Sequence, residues 1–235
     1  MSFVPSQLAE IRDRVSAACR KAGRAEDAVN LIAVSKTFPA SSIAEAINAG
    51  QQAFGENKLQ EAEPKIAALP ATLEWHFIGG VQRNKVRKIL PLFSVIHAVG
   101  SLKLASYMDG VAKELGIVPK IFLQVNQAGE ESKGGFDEEE LQECLPEILG
   151  LAHLEVMGLM AIPPDDGEAR RWFRFLREFR DRMESIHEIR LPCLSMGMSG
   201  DFETAIEEGA THVRVGSSIF GTRLGSDSAK EDHKK

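Results

Sequence analysis

Eight short apolar runs, each followed by an amphipathic or glycine-punctuated segment, set the strongest limit on what this chain can fold into. They are LIAVSK (31–36), QAFGEN (52–57), LEWHFIG (73–79), FSVIHAV (93–99), PKIFLQVN (119–126), LEVMGLMAI (154–162), CLSMGM (193–198) and HVRVGSSIF (212–220). Their bodies are near-continuously apolar, as in parallel strands covered by helices. The segments between them, such as PASSIAEAINAG from 39, KLQEAEPKIAAL from 58 and DEEELQECLPEILG from 137, read as helices. In the longest, from 168, Trp172, Phe175, Leu176, Phe179 and Met183 form the expected apolar face.

Eight strand–helix units close a (β/α)8 barrel, a fold of usually ~250 residues. The rival, an open doubly wound sheet, is disfavoured because no G-x-G-x-x-G follows the first run. Before that run, Leu8, Ile11, Val15 and Ala18 make a helical stripe. The expectation is therefore an α/β chain: one single-domain TIM barrel over residues 1–224 with an extra N-terminal helix. The segment 225–235, GSDSAKEDHKK, has no apolar residue beyond Ala229 and is expected to be disordered.

Composition narrows the function classes. No apolar run approaches the ~18 residues that span a bilayer, and the first residues lack a signal-peptide pattern, so no membrane partner and a cytoplasmic location are expected. Cys19, Cys144 and Cys193 are odd in number, widely spaced and without a C-x-x-C, which reads as reduced thiols. The six histidines show no ligand spacing, so no metal site is expected. A net charge of -6 argues mildly against nucleic acid. Arg83, Lys85, Arg87 and Lys88, like Arg170, Arg171, Arg174, Arg177 and Arg180, read as solvated helix faces.

In such a barrel the chemistry gathers at the C-terminal strand ends. In order these carry Lys36, Asn57, His76 with Gly79, His97, Asn126, Met160 or Ile162, Met198 with Ser199, and Arg214 with Gly216. A lysine leaving a packed strand is the sharpest of these. Partial burial favours its neutral amine, the nucleophile of imine chemistry, although a rim salt bridge explains Lys36 alone equally well. Ser199 and Gly200 close the seventh run, and Gly216, Ser217 and Ser218 the eighth. Glycine lets backbone N–H groups approach an anion, and barrels commonly bind phosphate after these two strands. A phosphate beside an imine-forming lysine suggests a phosphorylated aldehyde. Pyridoxal phosphate (PLP) fits both ends, and a Schiff-base aldolase acting on a phosphosugar is the alternative from another class.

The motifs AVSKTFP, FGENKLQE, WHFIGGVQRNK, QVNQAGEESKGGF, GLMAIP and LSMGMSGDFETAIEEGATHVRVGSSIFG occur in that order. With them the chain resembles the pyridoxal phosphate homeostasis proteins over about residues 5 to 224. These are single-domain relatives of the alanine-racemase-type (fold-type III) barrels. The resemblance implies that Lys36 carries PLP as an internal aldimine. It further implies that Ser199, Gly216 and Ser217 hold the phosphate, that Arg214 faces the pyridine nitrogen, and that Asn57 and Met198 line the ring. The intervals of 15, 17 and 18 from Ser199 to Arg214, Gly216 and Ser217 match those of racemase-type barrels. Gly80-Val81 stands where the family usually has Pro-Leu, and HAVGS (97–101) where it has an aspartate-containing turn.

The same resemblance implies a carrier or regulator of PLP without robust catalysis, with PLP-dependent apo-enzymes as candidate partners. An arginine opposite the pyridine nitrogen cannot protonate it, so strong carbanion chemistry is disfavoured. The related racemases use a second-face tyrosine from a second domain. Here the sole tyrosine, Tyr107, flanks the stripe Leu104, Met108, Val111, Leu115 of a helix and is expected against the barrel wall. A PLP-dependent racemase or lyase of low activity is the alternative, with His76 and His97 as substitute bases if they point into the mouth. Lys133, in the glycine-rich stretch 129–136, is expected near the rim as a transient acceptor of the aldehyde. Lacking the racemase dimer contact, the chain is expected to be a monomer.

Overall fold

The computed structural model describes residues 3–130 and 133–221, so the segment expected to be a disordered tail lies outside the described residues. Eight parallel strands close a barrel in sequence order. They are β1 (Asn30–Val34), β2 (Ala53–Glu56), β3 (Glu74–Phe77), β4 (Val95–Val99), β5 (Lys120–Gln124), β6 (Glu155–Met160), β7 (Cys193–Ser195) and β8 (His212–Val215). β1 closes on β8 with Ile32 opposite Arg214. The expected barrel is thus the observed one, and every strand's C-terminal end faces the same rim.

The helices are α1 (Phe3–Lys21), α2 (Ala40–Asn48), α3 (Leu59–Ala68), α4 (Val86–Ile89), α5 (Leu102–Leu115), α6 (Glu138–Leu149), α7 (Ala169–His187), α8 (Phe202–Glu207) and α9 (Ser217–Phe220). α1 is the expected extra helix. It buries Val4, Leu8, Ile11 and Val15 and packs on α2, α8 and α9, over the seam where β1 meets β8. Two helices are closed by side chains the sequence supplies. Ser101 accepts the N–H of Leu104 at the start of α5, and Asp137 that of Glu140 at the start of α6, each worth about 1 kcal/mol.

α7 corrects one expectation. Its buried face is Phe173, Leu176, Phe179 and Met183. Trp172 is only half-buried and donates its indole N–H to Asp166 Oδ2 at 2.9 Å. Spacing admitted either residue as the first of the stripe; the indole's polar edge favours the wetter position. The arginines of α7 are more than a solvated face, because Arg170, Arg174 and Arg177 converge on the nearly buried Glu208.

The core has two layers. The larger fills the space between strands and helices. The smaller, inside the barrel, has Val95, Ala98, Phe122 and Met160 as its apolar part. The interior also carries a polar group, with His76, His97, Ser195, His212 and Arg214 all buried. A register shift between Ile96 and Val99 in β4 accompanies the inward placement of both His97 and Ala98.

Candidate functional site

A cavity of about 570 Å³ opens at the rim formed by the C-terminal strand ends. Lys36, Asn57, Met198, Ser199, Arg214, Gly216 and Ser217 all line it, so the structure brings the whole set of expected site residues together.

Lys36 lies two residues beyond β1 and is half-buried, with the buried Ser35 before it. The chain then turns at Thr37, whose φ of 70° is unusual for a β-branched residue. Its N–H is tied down by Glu61 Oε2 of α3 at 3.2 Å. Behind this turn lies an ion pair that the sequence reading missed. Lys65 Nζ donates to Glu56 Oε1 at 2.7 Å and to the Ser35 carbonyl at 3.0 Å, while Ser35 Oγ donates to the same Glu56 oxygen at 2.7 Å. Glu56 is fully buried. The signal was present: Lys65 continues the buried stripe Leu59, Ala62 of α3, and Glu56 ends an otherwise apolar strand.

Asn57 follows Glu56. A Cβ on Gly79 would stand 2.2 Å from the Asn57 carbonyl oxygen, so only glycine lets the chain after β3 close against Asn57. On the opposite side, Met198 N–H donates to Asp201 Oδ1 at 2.6 Å, and Gly216 N–H donates to Ser199 Oγ at 3.2 Å. The turn between β7 and α8 needs Gly197, at φ 92°, where a Cβ would meet the Ala205 methyl at 2.6 Å.

Arg214 rises from inside β8. Its Nη1 donates to Ser195 Oγ at 2.5 Å and its Nη2 to the Ala161 carbonyl at 3.0 Å. Burial pulls its pKa down to about 10, opposed by Asp201, whose own carboxyl burial pushes up. The guanidinium therefore stays cationic at neutral pH.

Other expected rim groups fall elsewhere. Among the described residues, His76 and His97 do not line the cavity and their rings bond to no backbone group. They lie one layer below, with His76 Nδ1 2.8 Å from His97 Nε2 and His97 Nδ1 2.8 Å from Ser195 Oγ. The reason is register: both stand within their strands, side chains inward, not past the ends. Asn126 donates to the Glu130 carbonyl within its own loop. Of the two candidates on the sixth run, Ile162 lines the cavity, while Met160 sits in the interior core. Tyr107 packs on the outer core under the Arg83 guanidinium, as expected. Lys133 does line the cavity, its ammonium on Glu130 Oε1 at 2.9 Å and the Pro163 carbonyl at 3.0 Å. Buried Gln124 pins its carbonyl at 2.7 Å.

The residues fit the expected cofactor. Asn57 Oδ1 is buried beside the cavity without a hydrogen-bond partner among the described residues, a demand that a ligand can meet. The rim offers an amine and, beside it, a serine hydroxyl with glycine-rich backbone, and a cation lies at the base. No group of histidine, cysteine and acidic residues able to hold a metal occurs among the described residues.

Fold and site together define a parallel barrel with a lysine just past its first strand and an anion-compatible turn beside it, past the neighbouring eighth strand, the architecture of the racemase-type PLP barrels. The chain belongs to the alanine racemase N-terminal domain family, whose profile matches residues 6–224, and within it to the pyridoxal phosphate homeostasis proteins. It is 43% identical over 221 residues to the pyridoxal phosphate homeostasis protein of Aquifex aeolicus, covering 92% of this chain and 97% of that one. With the Escherichia coli protein of the same name it shares 42% over 231 residues, covering 95% and 98%. PipY of Synechococcus elongatus with PLP bound superimposes with a TM-score of 0.83 at 39% identity, covering 93% of this chain and all of that one. Alanine racemase from Corynebacterium glutamicum shares the fold, with a TM-score of 0.67 at 18% identity, covering 92% of this chain and 62% of that one.

Proposed function

We propose that this protein binds PLP through Lys36 and serves PLP homeostasis as a carrier or regulator without robust catalysis. The observation that carries the reading is the arrangement around one cavity: Lys36 at one wall, Ser199, Gly216 and Ser217 at another, and the Arg214 cation between two fixed acceptors. When bound, PLP supplies an aldehyde that condenses with an amine, releasing water, and a phosphate that seeks N–H donors. Lys36 provides the amine. Ser199 and the backbone at Gly216 and Ser217 orient the phosphate. Arg214 stays charged at neutral pH and does not transfer a proton to a ring nitrogen, so it orients the ring without turning it into a strong electron sink.

The lining argues against turnover. Its titratable side chains, among the described residues, are Lys36, Arg214 and Lys133, and Lys133 is engaged with Glu130. Lys133 is also the one observation that favours weak racemase or lyase activity, as a second base across from Lys36. Delivery to apo-enzymes, action as a monomer and a cytoplasmic location complete the proposal. Three unpaired cysteines support the location, and no helix among the described residues is long and apolar enough to cross a membrane.

The test is to incubate the PLP-loaded protein with each common amino acid in deuterated buffer. Slow exchange of bound PLP with no deuterium incorporation and no enantiomer formed is the expected result. Catalytic incorporation at Cα would replace the carrier reading with the racemase one.

A further inference from the structure

Arg214 is held from below by a chain of buried polar groups whose direction can be worked out. A guanidinium carries N–H groups and no lone pair to accept with. At the 2.5 Å contact, Ser195 Oγ therefore accepts from Arg214 Nη1. The serine has one hydroxyl hydrogen left, and its acceptor among the described residues is His97 Nδ1 at 2.8 Å. His97 Nδ1 is then unprotonated, and the proton of the neutral ring sits on Nε2, which faces His76 Nδ1 at 2.8 Å. His76 accepts there and carries its own proton on Nε2, 3.5 Å from Glu74 Oε1. The series crosses β8, β7, β4 and β3 and ends at a half-exposed carboxylate on the opposite side of the barrel from the cavity.

We propose that His76, His97 and Ser195 are positioning residues for Arg214: a one-way hydrogen-bond chain that requires both imidazoles to be neutral with the proton on Nε2, and that fixes the guanidinium beneath the cavity. The link to cofactor binding rests on the PLP reading of that cavity; the tautomers do not.

Each link from Arg214 to His76 Nδ1 satisfies a group that would be costly to bury alone, and the buried His76 Nε2 has only the 3.5 Å ion contact with Glu74. The surroundings agree with the assignment. Burial pushes the His97 ring well below its usual range, helped by His76 and His212 and by Arg214, and the ring stacks on Phe122. The charged or titratable groups around the series are Glu74 and His76 from β3, Lys120 from β5, Asp201 just before α8, and His212 and Arg214 from β8. Of the two anions, Asp201 acts on Arg214, while Glu74 meets the far nitrogen of His76, which holds the Glu74 carboxyl below its usual range. A protonated His97 would set a second buried cation one serine away from Arg214.

The experiment is long-range proton–nitrogen NMR of the imidazoles in the full, nitrogen-15-labelled chain without cofactor. Expected are Nε2–H tautomers for His76 and His97 at neutral pH, with the His97 pattern unchanged between about pH 8 and 5. Ser195→Ala should remove the tautomer lock on His97, and Ser195→Thr, which keeps a hydroxyl, should restore it. In parallel, Ser195→Ala should weaken PLP binding about tenfold, the loss of one hydrogen bond to a charged group, and Ser195→Thr should recover most of it. An Nδ1–H tautomer or a doubly protonated ring on His97 at neutral pH would overturn the assignment. A Ser195→Ala protein that loses the lock yet binds PLP within twofold of the parent would overturn the positioning role. If no form of the protein takes up PLP, the PLP reading fails and the apo-protein tautomers still decide the chain.

Discussion

The Glu56–Lys65 pair behind Lys36 gives the sharpest energetic prediction. Both charges are out of water, the carboxylate fully and the lysine side chain with 11% of its surface exposed. They share one contact at 2.7 Å, and both are tied to Ser35. Removing one member leaves the other charge buried and uncompensated, which costs about 3–5 kcal/mol. Glu56→Gln and Lys65→Met should each fall in that range in urea unfolding followed by circular dichroism. The double variant Glu56→Gln/Lys65→Met removes both charges, so its cost should fall below the sum of the singles by at least about 2 kcal/mol. Because the pair anchors the residue before Lys36, each single variant should also retain PLP less well. Additivity within about 0.5 kcal/mol would refute the reasoning, since it would mean that solvent already screens the two charges.

Three further predictions concern other parts of the molecule. Gly79→Ala should cost about 1–3 kcal/mol in the same unfolding assay, because its Cβ would stand 2.2 Å from the Asn57 carbonyl oxygen; an unchanged midpoint would contradict the close approach. Burial lowers His212 from 6.5 to about 4. Above pH 6.5 the ring is neutral in both states, and as pH falls toward 4 the unfolded chain takes up the proton first, so the folded state loses about 3 kcal/mol over that window at ~1.4 kcal/mol per pH unit. The acid-side slope of stability against pH should flatten in His212→Gln. Lys133→Ala should slow hand-over of PLP to an apo-enzyme, followed by the recovery of that enzyme's activity, and equal rates in variant and parent would count against its acting as an acceptor.

The fold was legible because its periodicity is coarse. Eight apolar runs and the joints between them survive errors of a residue or two at any boundary. The cavity wall was legible for a related reason: Lys36, Ser199 and Gly216 lie past strand ends, where position in the chain dictates position in space. Inside the barrel that argument fails. Whether His76 and His97 point to the mouth or the interior turns on a single residue of register, and β4 shifts register just at His97. Their partner Ser195 is far away in sequence and carries no local mark of its role. Glu56 and Lys65 were readable one at a time, as charges at core positions, but their pairing depends on how α3 packs on β2. Thr37 had no signal at all: its positive φ goes with an N–H bonded to Glu61, a residue of the next unit.

The most direct test of the central claim is borohydride reduction of the PLP-saturated protein followed by peptide mass mapping, with Lys36→Ala in parallel. A visible band that reduction abolishes, and a reduced adduct confined to Lys36 and missing from the variant, is the predicted result. An adduct spread over surface lysines, or formed equally well in Lys36→Ala, would contradict it.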